Sequence, residues 1–168
     1  IVIGIFAHNE TGIEGSVLQM VNHGIIASAL FLIVAFIEMR MGTRSLNELR
    51  GLSKAMPVLY GSFMLIMLAA LGLPGLNGFV GEFMILMGVW TSNMFSGLSG
   101  VLVLMGGLSI VFASMYMLYM FQGSMQDKPE SLPEGITDID KSEFKLIFPA
   151  CLLILLIGLY PKPFVDRI

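Results

Sequence analysis

One acidic residue, Glu82, lies alone within a long apolar stretch. Between Lys54 and Asp127 no other residue is charged. An ionised carboxylate at the centre of a bilayer costs about 2.5 kcal/mol or more, so this side chain should face protein, water or a cation. Loss of water disfavours the ionised form of a carboxyl group, whereas a nearby lysine favours it. A carboxyl group poised between these effects can take up and release a proton, which is what a proton relay requires.

The residues before Glu82 interrupt the helical pattern and support a role in transport. Pro74 lacks a backbone donor, and Gly75 and Gly78 loosen the backbone. Gly78 lies one helical turn before Glu82, where it leaves room for water or a neighbouring helix, and Asn77 offers an uncharged polar partner. The alternative is a solvated glutamate at a helix end near the membrane surface, with no role in transport.

His23 is the second candidate for proton chemistry. It lies within the apolar residues 16–37, beside Asn22 and one turn after Gln19. Histidine titrates near neutral pH and can shuttle protons. The alternative is a neutral imidazole hydrogen-bonded to a backbone carbonyl group of a neighbouring helix. Asn22 and Gln19 are expected to form hydrogen bonds between helices rather than to relay protons.

The remaining residues of chemical interest indicate packing. The single cysteine, Cys151, lies in an apolar run and is expected to be an unreactive thiol. His8 and His23 are far apart in sequence, so we expect no metal site. The 14 methionines favour packing over a methionine-lined metal pathway.

The composition predicts a membrane protein. Of the 168 residues, 56% are hydrophobic and 12% are charged. A soluble domain has about 45–50% apolar and about 25% charged residues, so these values argue against a soluble domain or a disordered tail. The net charge of −3 lacks the basic character that nucleic-acid binding requires. We therefore expect the chain to contact a lipid bilayer and to have no nucleic-acid partner.

Islands of charge divide the chain into apolar stretches that predict an all-α, polytopic transmembrane helix bundle forming a single membrane segment. The expected elements are helices at 16–37, 55–73, 78–92, 99–122 and 144–160, with a polar acidic loop at 123–143. As one straight helix, residues 55–92 would reach about 55 Å, well beyond a hydrocarbon core of about 30 Å. This stretch must therefore bend or break.

Two arrangements of residues 55–92 fit the sequence. One is a hairpin of two short helices. The other is one discontinuous helix, broken between Leu73 and Gly78, whose middle is buried in a larger bundle. Discontinuous helices hold ion sites in transporters. Four basic residues against two acidic ones favour a cytoplasmic location for the island 38–54, but charge does not choose between the two arrangements.

The start of the last helix carries a separate signal. Asp140 and Glu143 stand three residues apart, as do Thr137 and Asp140. Both pairs resemble capping boxes, in which side-chain oxygens accept hydrogen bonds from the free N–H groups of a first helical turn. Either pair predicts a helix start just before the final apolar run.

The segment LGLPGLNGFVGEF, from Leu71 to Phe83, resembles the M-type antiporter-like membrane subunits of respiratory complex I, the NADH-quinone oxidoreductase. Other stretches agree, namely GIEGSVLQMVNHGIIASALFL, MGTRS, IVFASMYMLYMFQG and IGLYPKPF. The resemblance runs from end to end of these residues but covers only the C-terminal third of a family chain. It therefore implies a C-terminal fragment.

This resemblance implies roles for particular residues. It assigns Glu82 to the terminal carboxylate of a proton path, on the broken helix of a second inverted repeat, where L- and N-type subunits have lysine. It favours one discontinuous crossing over the hairpin. His23 matches a histidine of the preceding helix in the family. At Gly42 the chain departs from many relatives, which have a histidine just before the Thr–Arg pair.

The resemblance also implies a function and partners. The expected function is a proton-translocating subunit of NADH:quinone oxidoreductase, multi-pass in a bacterial inner membrane beside L-, N- and K-type subunits. Flavin, iron–sulfur clusters and quinone are expected on partner subunits, with no cofactor on this chain. The alternatives are a subunit of a Mrp-type cation/proton antiporter, a subunit of a membrane-bound hydrogenase complex, and a structural scaffold. Because the family's first half-channel lies on earlier helices, this segment alone is not expected to translocate protons.

Overall fold

The computed structural model describes residues 1–127 and 135–168, which form helices joined by turns and contain no β-strand. The α-helices are α1 (Val2–Ile5), α2 (Glu10–Met41), α3 (Leu52–Ala55), α4 (Pro57–Ala70), α5 (Asn77–Trp90), α6 (Ser99–Phe121), α7 (Lys141–Leu159) and α8 (Lys162–Val165). A 3-10 turn lies between α5 and α6, and a π-helical turn, Gln122–Gln126, follows α6. The all-α prediction is confirmed, and the part of the predicted acidic loop at 128–134 lies outside the described residues.

Among the described residues, three helices are long and apolar enough to cross a membrane. They are α2, α6 together with its π-helical turn, and α7, with mean hydropathies of 2.2, 2.2 and 2.0 over their most apolar windows. In contrast, α4 and α5 have 14 residues each. At 1.5 Å per residue each would extend about 21 Å, short of a hydrocarbon core of about 30 Å. The chain is thus an integral, multi-pass membrane protein with two additional short apolar helices.

The longest helix, α2, extends beyond the apolar window 16–37 at both ends. At its start the Asn9 side chain accepts a hydrogen bond from Gly12 N at 2.9 Å and caps the first turn. At its end Gly42 adopts a left-handed conformation, with φ of 69°, which few other residues tolerate. The polar residues that flank the apolar window therefore continue the helix until these two caps.

The first half of α2 packs antiparallel to α5, with glycines at the contact. A methyl group at Gly15 would lie 2.6 Å from Met84 Cβ. One turn earlier, a methyl group at Gly88 would lie 2.5 Å from Gly12 Cα. No larger side chain fits at these positions, so the two backbones approach as closely as small residues allow in membrane helix pairs.

The second half of α2 contributes to the main hydrophobic core, together with α4, α7 and the turn after α6. The buried side chains of this core include Ile26, Ile33 and Phe36 of α2, Leu59, Phe63, Ile66 and Met67 of α4, Phe121 of α6, Met125 of the π-helical turn, and Ile147 and Ile154 of α7. In a bilayer such contacts are favoured by close van der Waals packing, because lipid chains are as apolar as the side chains themselves. By contrast, α6 buries few of its own residues.

Arg40, in the last turn of α2, ties one end of the bundle together. Its guanidinium donates to Glu143 Oε2 at 2.5 Å and Oε1 at 3.1 Å. It also donates to the carbonyl oxygens of Thr137 at 2.9 Å, Asp138 at 3.2 Å and Phe36 at 3.1 Å. A guanidinium has five N–H donors, so all of them are used. We call Arg40 and Glu143 with these carbonyl groups the arginine cluster.

Asp138 connects this cluster to the start of α4. Its carboxylate accepts hydrogen bonds from Val58 N at 2.6 Å and Leu59 N at 3.2 Å. Two of the free N–H groups in the first turn of α4 are thereby satisfied by a side chain distant in sequence. The arginine cluster and α4 are therefore held in one arrangement.

The start of α7 is fixed by a capping box. Asp140 accepts a hydrogen bond from Glu143 N at 2.6 Å, and Glu143 accepts one from Asp140 N at 2.8 Å. The box predicted for this pair is confirmed. The box predicted for Thr137 and Asp140 is wrong, because α7 begins at Lys141 and its N-cap residue is Asp140, three residues after Thr137.

Candidate functional site

The site begins at the interruption between α4 and α5, residues 71–76. Two glycines in it, Gly72 and Gly75, have φ of 68° and 94°, in the left-handed region that glycine adopts most readily. A methyl group at Gly78 would collide with the carbonyl oxygen of Ala69, so the first turn of α5 lies directly against the last turn of α4. Pro74 is exposed on the outside of this turn.

A pair of buried asparagines fixes the interruption to α2. Asn22 Nδ2 donates to the carbonyl oxygen of Asn77 at 2.8 Å, and Asn77 Nδ2 donates to Asn22 Oδ1 at 3.1 Å. Both residues are fully buried. The remaining acceptor, Asn77 Oδ1, has no hydrogen-bond partner among the described residues. Asn77 is therefore bonded to α2 rather than to Glu82, the partner that the sequence suggests.

Glu82 lies in the second turn of α5 and is half-buried. Its Oε1 accepts a long hydrogen bond of 3.4 Å from Gln19 Nε2 of α2. The other oxygen of that amide, Gln19 Oε1, is buried and has no hydrogen-bond partner in the described part of the chain. Within residues 1–127 and 135–168 no cation forms an ion pair with Glu82. Its carboxylate is thus held by one weak contact.

Two cavities meet at this carboxylate. Both are lined by Glu82, Gln19 and His23. One, of about 250 Å³, extends towards Ser109 of α6, and the other, of about 180 Å³, extends towards Tyr116. A water molecule occupies about 30 Å³ in the liquid, so each cavity has room for several. Glu82 is therefore in a position to exchange protons with water on two sides.

His23 lines both cavities, but no described residue holds its imidazole by a hydrogen bond. Its side chain is exposed, and it forms no hydrogen bond or ion pair with any described residue. The carbonyl partner of the alternative interpretation is thus absent from this part of the chain. Glu82 and His23 share two cavities through which water can connect them.

Gln19 is the residue whose importance the sequence leaves hidden. The sequence predicts a hydrogen bond between helices for it, and this is confirmed, but the partner, Glu82, lies 63 residues away. Its position one turn before His23, on the same face of α2, was the available signal. Gly81 helps to bring the pair together, because a methyl group there would lie 3.0 Å from Gln19 Cβ.

The assembled groups are a carboxyl, an amide and an imidazole. Such groups can hold and pass protons through water. Among residues 1–127 and 135–168 no group of three or more His, Cys, Asp or Glu side chains could hold a metal ion. Cys151 lies on α7 and is half-buried.

Residues 1–106 match the family model described as "NADH:quinone oxidoreductase/Mrp antiporter, TM". The chain is also similar to the curated NADH-quinone oxidoreductase subunit M of Mycobacterium tuberculosis, with 36% identity over 168 residues. That alignment covers all of this chain and 29% of the relative. The chain therefore spans about a third of the length of the curated relatives it matches.

Two solved structures share the fold. A chain of respiratory complex I from Thermus thermophilus with bound NADH matches with a TM-score of 0.86 and 29% identity, over 96% of this chain and 33% of that chain. A chain of the Mrp complex from Dietzia sp. matches with a TM-score of 0.76 and 18% identity, over 97% of this chain and 38% of that chain. At 18% identity the second likeness shows a shared fold alone.

Proposed function

The chain belongs to the NADH:quinone oxidoreductase/Mrp antiporter transmembrane family, and from this premise we propose that it is part of a proton-translocating membrane subunit of an NADH-quinone oxidoreductase. Its similarity to subunit M, at 36% identity along its whole length, supports the assignment within the family. Electron transfer in other subunits would drive proton movement through this one.

Glu82 is the proton-carrying residue of this segment. The observation that carries the proposal is its position beside a helix interruption, with one long hydrogen bond and a cavity on either side. A carboxylate in such a place is costly unless water or a cation reaches it, so its presence favours a role in a proton path. His23, which lines the same two cavities, is the second member of the path.

We propose further that α4 and α5 make one interrupted crossing rather than a hairpin. Two observations support this. The first turn of α4 is capped by Asp138 beside the arginine cluster, at the C-terminal end of α2. The last turn of α5 lies at the opposite end of α2, where Asn9 donates to the Gly88 carbonyl oxygen at 2.7 Å. The two short helices therefore follow α2 in succession, and the polar side chains beside their interruption, Asn22 and Asn77, are buried, as a lipid environment requires.

The partners and location follow from the same premise. The complete subunit would lie in a bacterial inner membrane, beside L-, N- and K-type membrane subunits. Flavin, iron–sulfur clusters and the quinone site would lie on other subunits. The bacterial origin of the relatives supports this location, and the match to a chain of complex I supports assembly into a larger complex.

The experiment is a Glu82→Gln substitution in the full-length subunit within the assembled complex. Glutamine preserves the size of the side chain but cannot release a proton at physiological pH. We expect proton pumping to fall to background and NADH:quinone reductase activity to fall with it, because the two are coupled. Glu82→Asp, which retains a carboxyl group, should be milder. The matched control is Glu48→Gln, which removes an exposed loop carboxylate and should change neither rate.

Pumping at the wild-type ratio of protons to electrons in Glu82→Gln would contradict the proposal.

The purified complex also distinguishes a redox-driven proton pump from a cation/proton antiporter. Co-purification with flavin- and iron–sulfur-containing subunits supports the oxidoreductase. Cation/proton exchange in vesicles without any redox activity would assign the chain to an antiporter instead.

A further inference from the structure

The second carboxylate oxygen of Glu82, Oε2, lies beside Gly72, a residue without a part in the proton path described so far. A methyl group built at Gly72 would lie 2.5 Å from Glu82 Oε2 and 3.5 Å from Glu82 Cδ. Real carbon atoms do not approach an oxygen this closely, so Oε2 occupies space that only glycine leaves open. The other oxygen, Oε1, faces the side-chain amide of Gln19, which belongs to α2. The carboxylate thus rests between Gln19 and Gly72.

We propose that Gly72 is a positioning residue for Glu82, because its missing side chain forms the seat in which the carboxylate rests beside the helix interruption. This rests on the proposed function of Glu82 in proton transfer. With glycine at position 72, the carboxylate lies within hydrogen-bond reach of Gln19 and lines both cavities. With a side chain at position 72, the carboxylate must turn away from Gln19 or from at least one of the two cavities.

The backbone around the seat is less able to yield than the carboxylate. Gly78 lies against the Ala69 carbonyl group, which fixes the first turn of α5 to α4. The reciprocal hydrogen bonds of Asn22 and Asn77 fix the same turn to α2. In contrast, the carboxylate is the free end of a flexible side chain held by one 3.4 Å bond. A methyl group at position 72 would therefore move the carboxylate first.

The break provides a matched control for this idea. Gly72 and Gly75 both have positive φ, 68° and 94°, so alanine strains the backbone at either position. At Gly75, however, the nearest atom to an added methyl carbon is Leu159 Cδ2 at 3.9 Å, which is ordinary van der Waals contact. Gly72→Ala and Gly75→Ala therefore share the backbone strain, and only the first one fills the seat.

The experiment compares the two variants in the assembled complex with the full-length subunit. The first readout is the infrared C=O band of the Glu82 carboxyl group, identified by its loss in Glu82→Gln. The second readout is proton pumping at matched NADH oxidation. We expect Gly72→Ala to shift the band and to lower pumping about tenfold, because errors of about 1 Å in placing a reacting group are costly. Gly75→Ala should leave the band in place.

A shorter acid tests whether the lost function comes from the filled seat. In the double variant Gly72→Ala/Glu82→Asp, the acidic side chain is one methylene shorter and should clear the added methyl group. We expect this variant to lose, relative to Glu82→Asp alone, no more pumping than Gly75→Ala loses relative to the wild type, so only the backbone-strain part of the Gly72→Ala penalty should remain. The other titratable side chains lining the two cavities, His23 and Tyr116, are unchanged in both members of the comparison.

Several outcomes would overturn the proposal. Equal effects of Gly72→Ala and Gly75→Ala would assign both to backbone strain. An unshifted carboxyl band in Gly72→Ala would show that the seat is not needed. If Gly72→Ala fails to assemble, the double variant decides, since failure to assemble there too gives Gly72 a purely structural role. Normal pumping in Glu82→Gln would instead overturn the proposed function, while the band shift would still test the seat.

Discussion

The arginine cluster and the Glu82 site are two charged regions with opposite degrees of hydrogen bonding. Arg40 uses all five of its N–H donors, and its guanidinium lies 2.5 Å from Glu143. The two side chains are only 14% and 18% exposed. Within the described part of the chain, Glu82 makes one hydrogen bond, of 3.4 Å, and adjoins two cavities. The arginine cluster lies at one end of the bundle and Glu82 lies within its apolar part, but only in the cluster is every N–H donor of the charged group hydrogen-bonded.

This difference is the one expected between a charge that stabilises the fold and the proton-carrying role proposed for Glu82. A saturated network strongly favours one protonation state and one geometry, so it stabilises the fold and does little else. A carboxyl group with a single weak partner and adjacent water can change its protonation state without disrupting its surroundings. We therefore expect mutations in the arginine cluster to lower stability more than mutations of Glu82 do. We expect mutations of Glu82 to lower proton pumping more than they lower stability. The expected loss of stability is largest in the arginine cluster and smallest at Glu82.

Arg40→Met should destabilise the protein most, by about 2–3 kcal/mol, because Glu143 keeps its charge and loses its partner. The measurement is the thermal unfolding midpoint of the purified complex, together with the amount of assembled subunit. The control is Arg44→Met, which removes an ion pair to Glu38 from a side chain that is 70% exposed and should leave the midpoint unchanged. The double variant Arg40→Met/Glu143→Leu should be milder than Arg40→Met. Equal midpoints for the two single variants would contradict the prediction.

Asn22→Leu should cost about 2 kcal/mol, because it leaves the buried Asn77 amide without its partner. Unfolding of the full-length subunit in detergent by denaturant titration measures this loss. Ser28→Ala, a change at an exposed position of the same helix, is the control and should have little effect. A loss no greater than that of the control would show that the asparagine pair does not hold the interruption to α2.

Asp138→Ala should cost about 1 kcal/mol, since it removes the side-chain cap from the first turn of α4. Hydrogen exchange of the peptide containing Val58 and Leu59 should become faster, because these are the two amides that Asp138 binds. Asp138→Asn retains one acceptor oxygen and should protect that peptide in part. Unchanged exchange in the alanine variant would be inconsistent with a cap at this helix start.

Glu82→Gln should change stability least, by less than about 0.5 kcal/mol, as is typical of a substitution that removes no strong contact. Glutamine can still accept the weak hydrogen bond from Gln19. The same thermal unfolding measurement is used, now alongside proton pumping, which should be lost. A large drop in the unfolding midpoint would place Glu82 with Arg40 as a structural charge and remove the contrast between the two regions.

Local patterns in the sequence predict much of this structure. The apolar stretches predict the helices because lipid requires every backbone group to be satisfied within the segment. Pro74 and the glycines after α4 predict an interruption, and Asp140 with Glu143 predicts the start of α7, since such signals act within one or two turns. Glu82 stands out for the same reason, as one charge in an apolar segment.

The contacts between distant residues could not be predicted in this way. Arg40 and Glu143 are 103 residues apart, and in sequence they belong to two unrelated islands of charge. Gln19 and Glu82 are 63 residues apart, and Asn22 and Asn77 are 55 apart. Each pair depends on how α2 docks against later helices, which a single sequence does not encode in any local pattern. The contact of Glu82 with Gly72 is harder still to predict, because it depends on the absence of a side chain at position 72.

The glycine contacts between α2 and α5 have a consequence for movement. Helices whose backbones touch at Gly12, Gly15 and Gly88 cannot slide or rotate against each other without steric overlap. A displacement of one helix along the other would therefore require the two backbones to separate first. The same close approach keeps Gln19 of α2 within hydrogen-bond reach of Glu82 of α5.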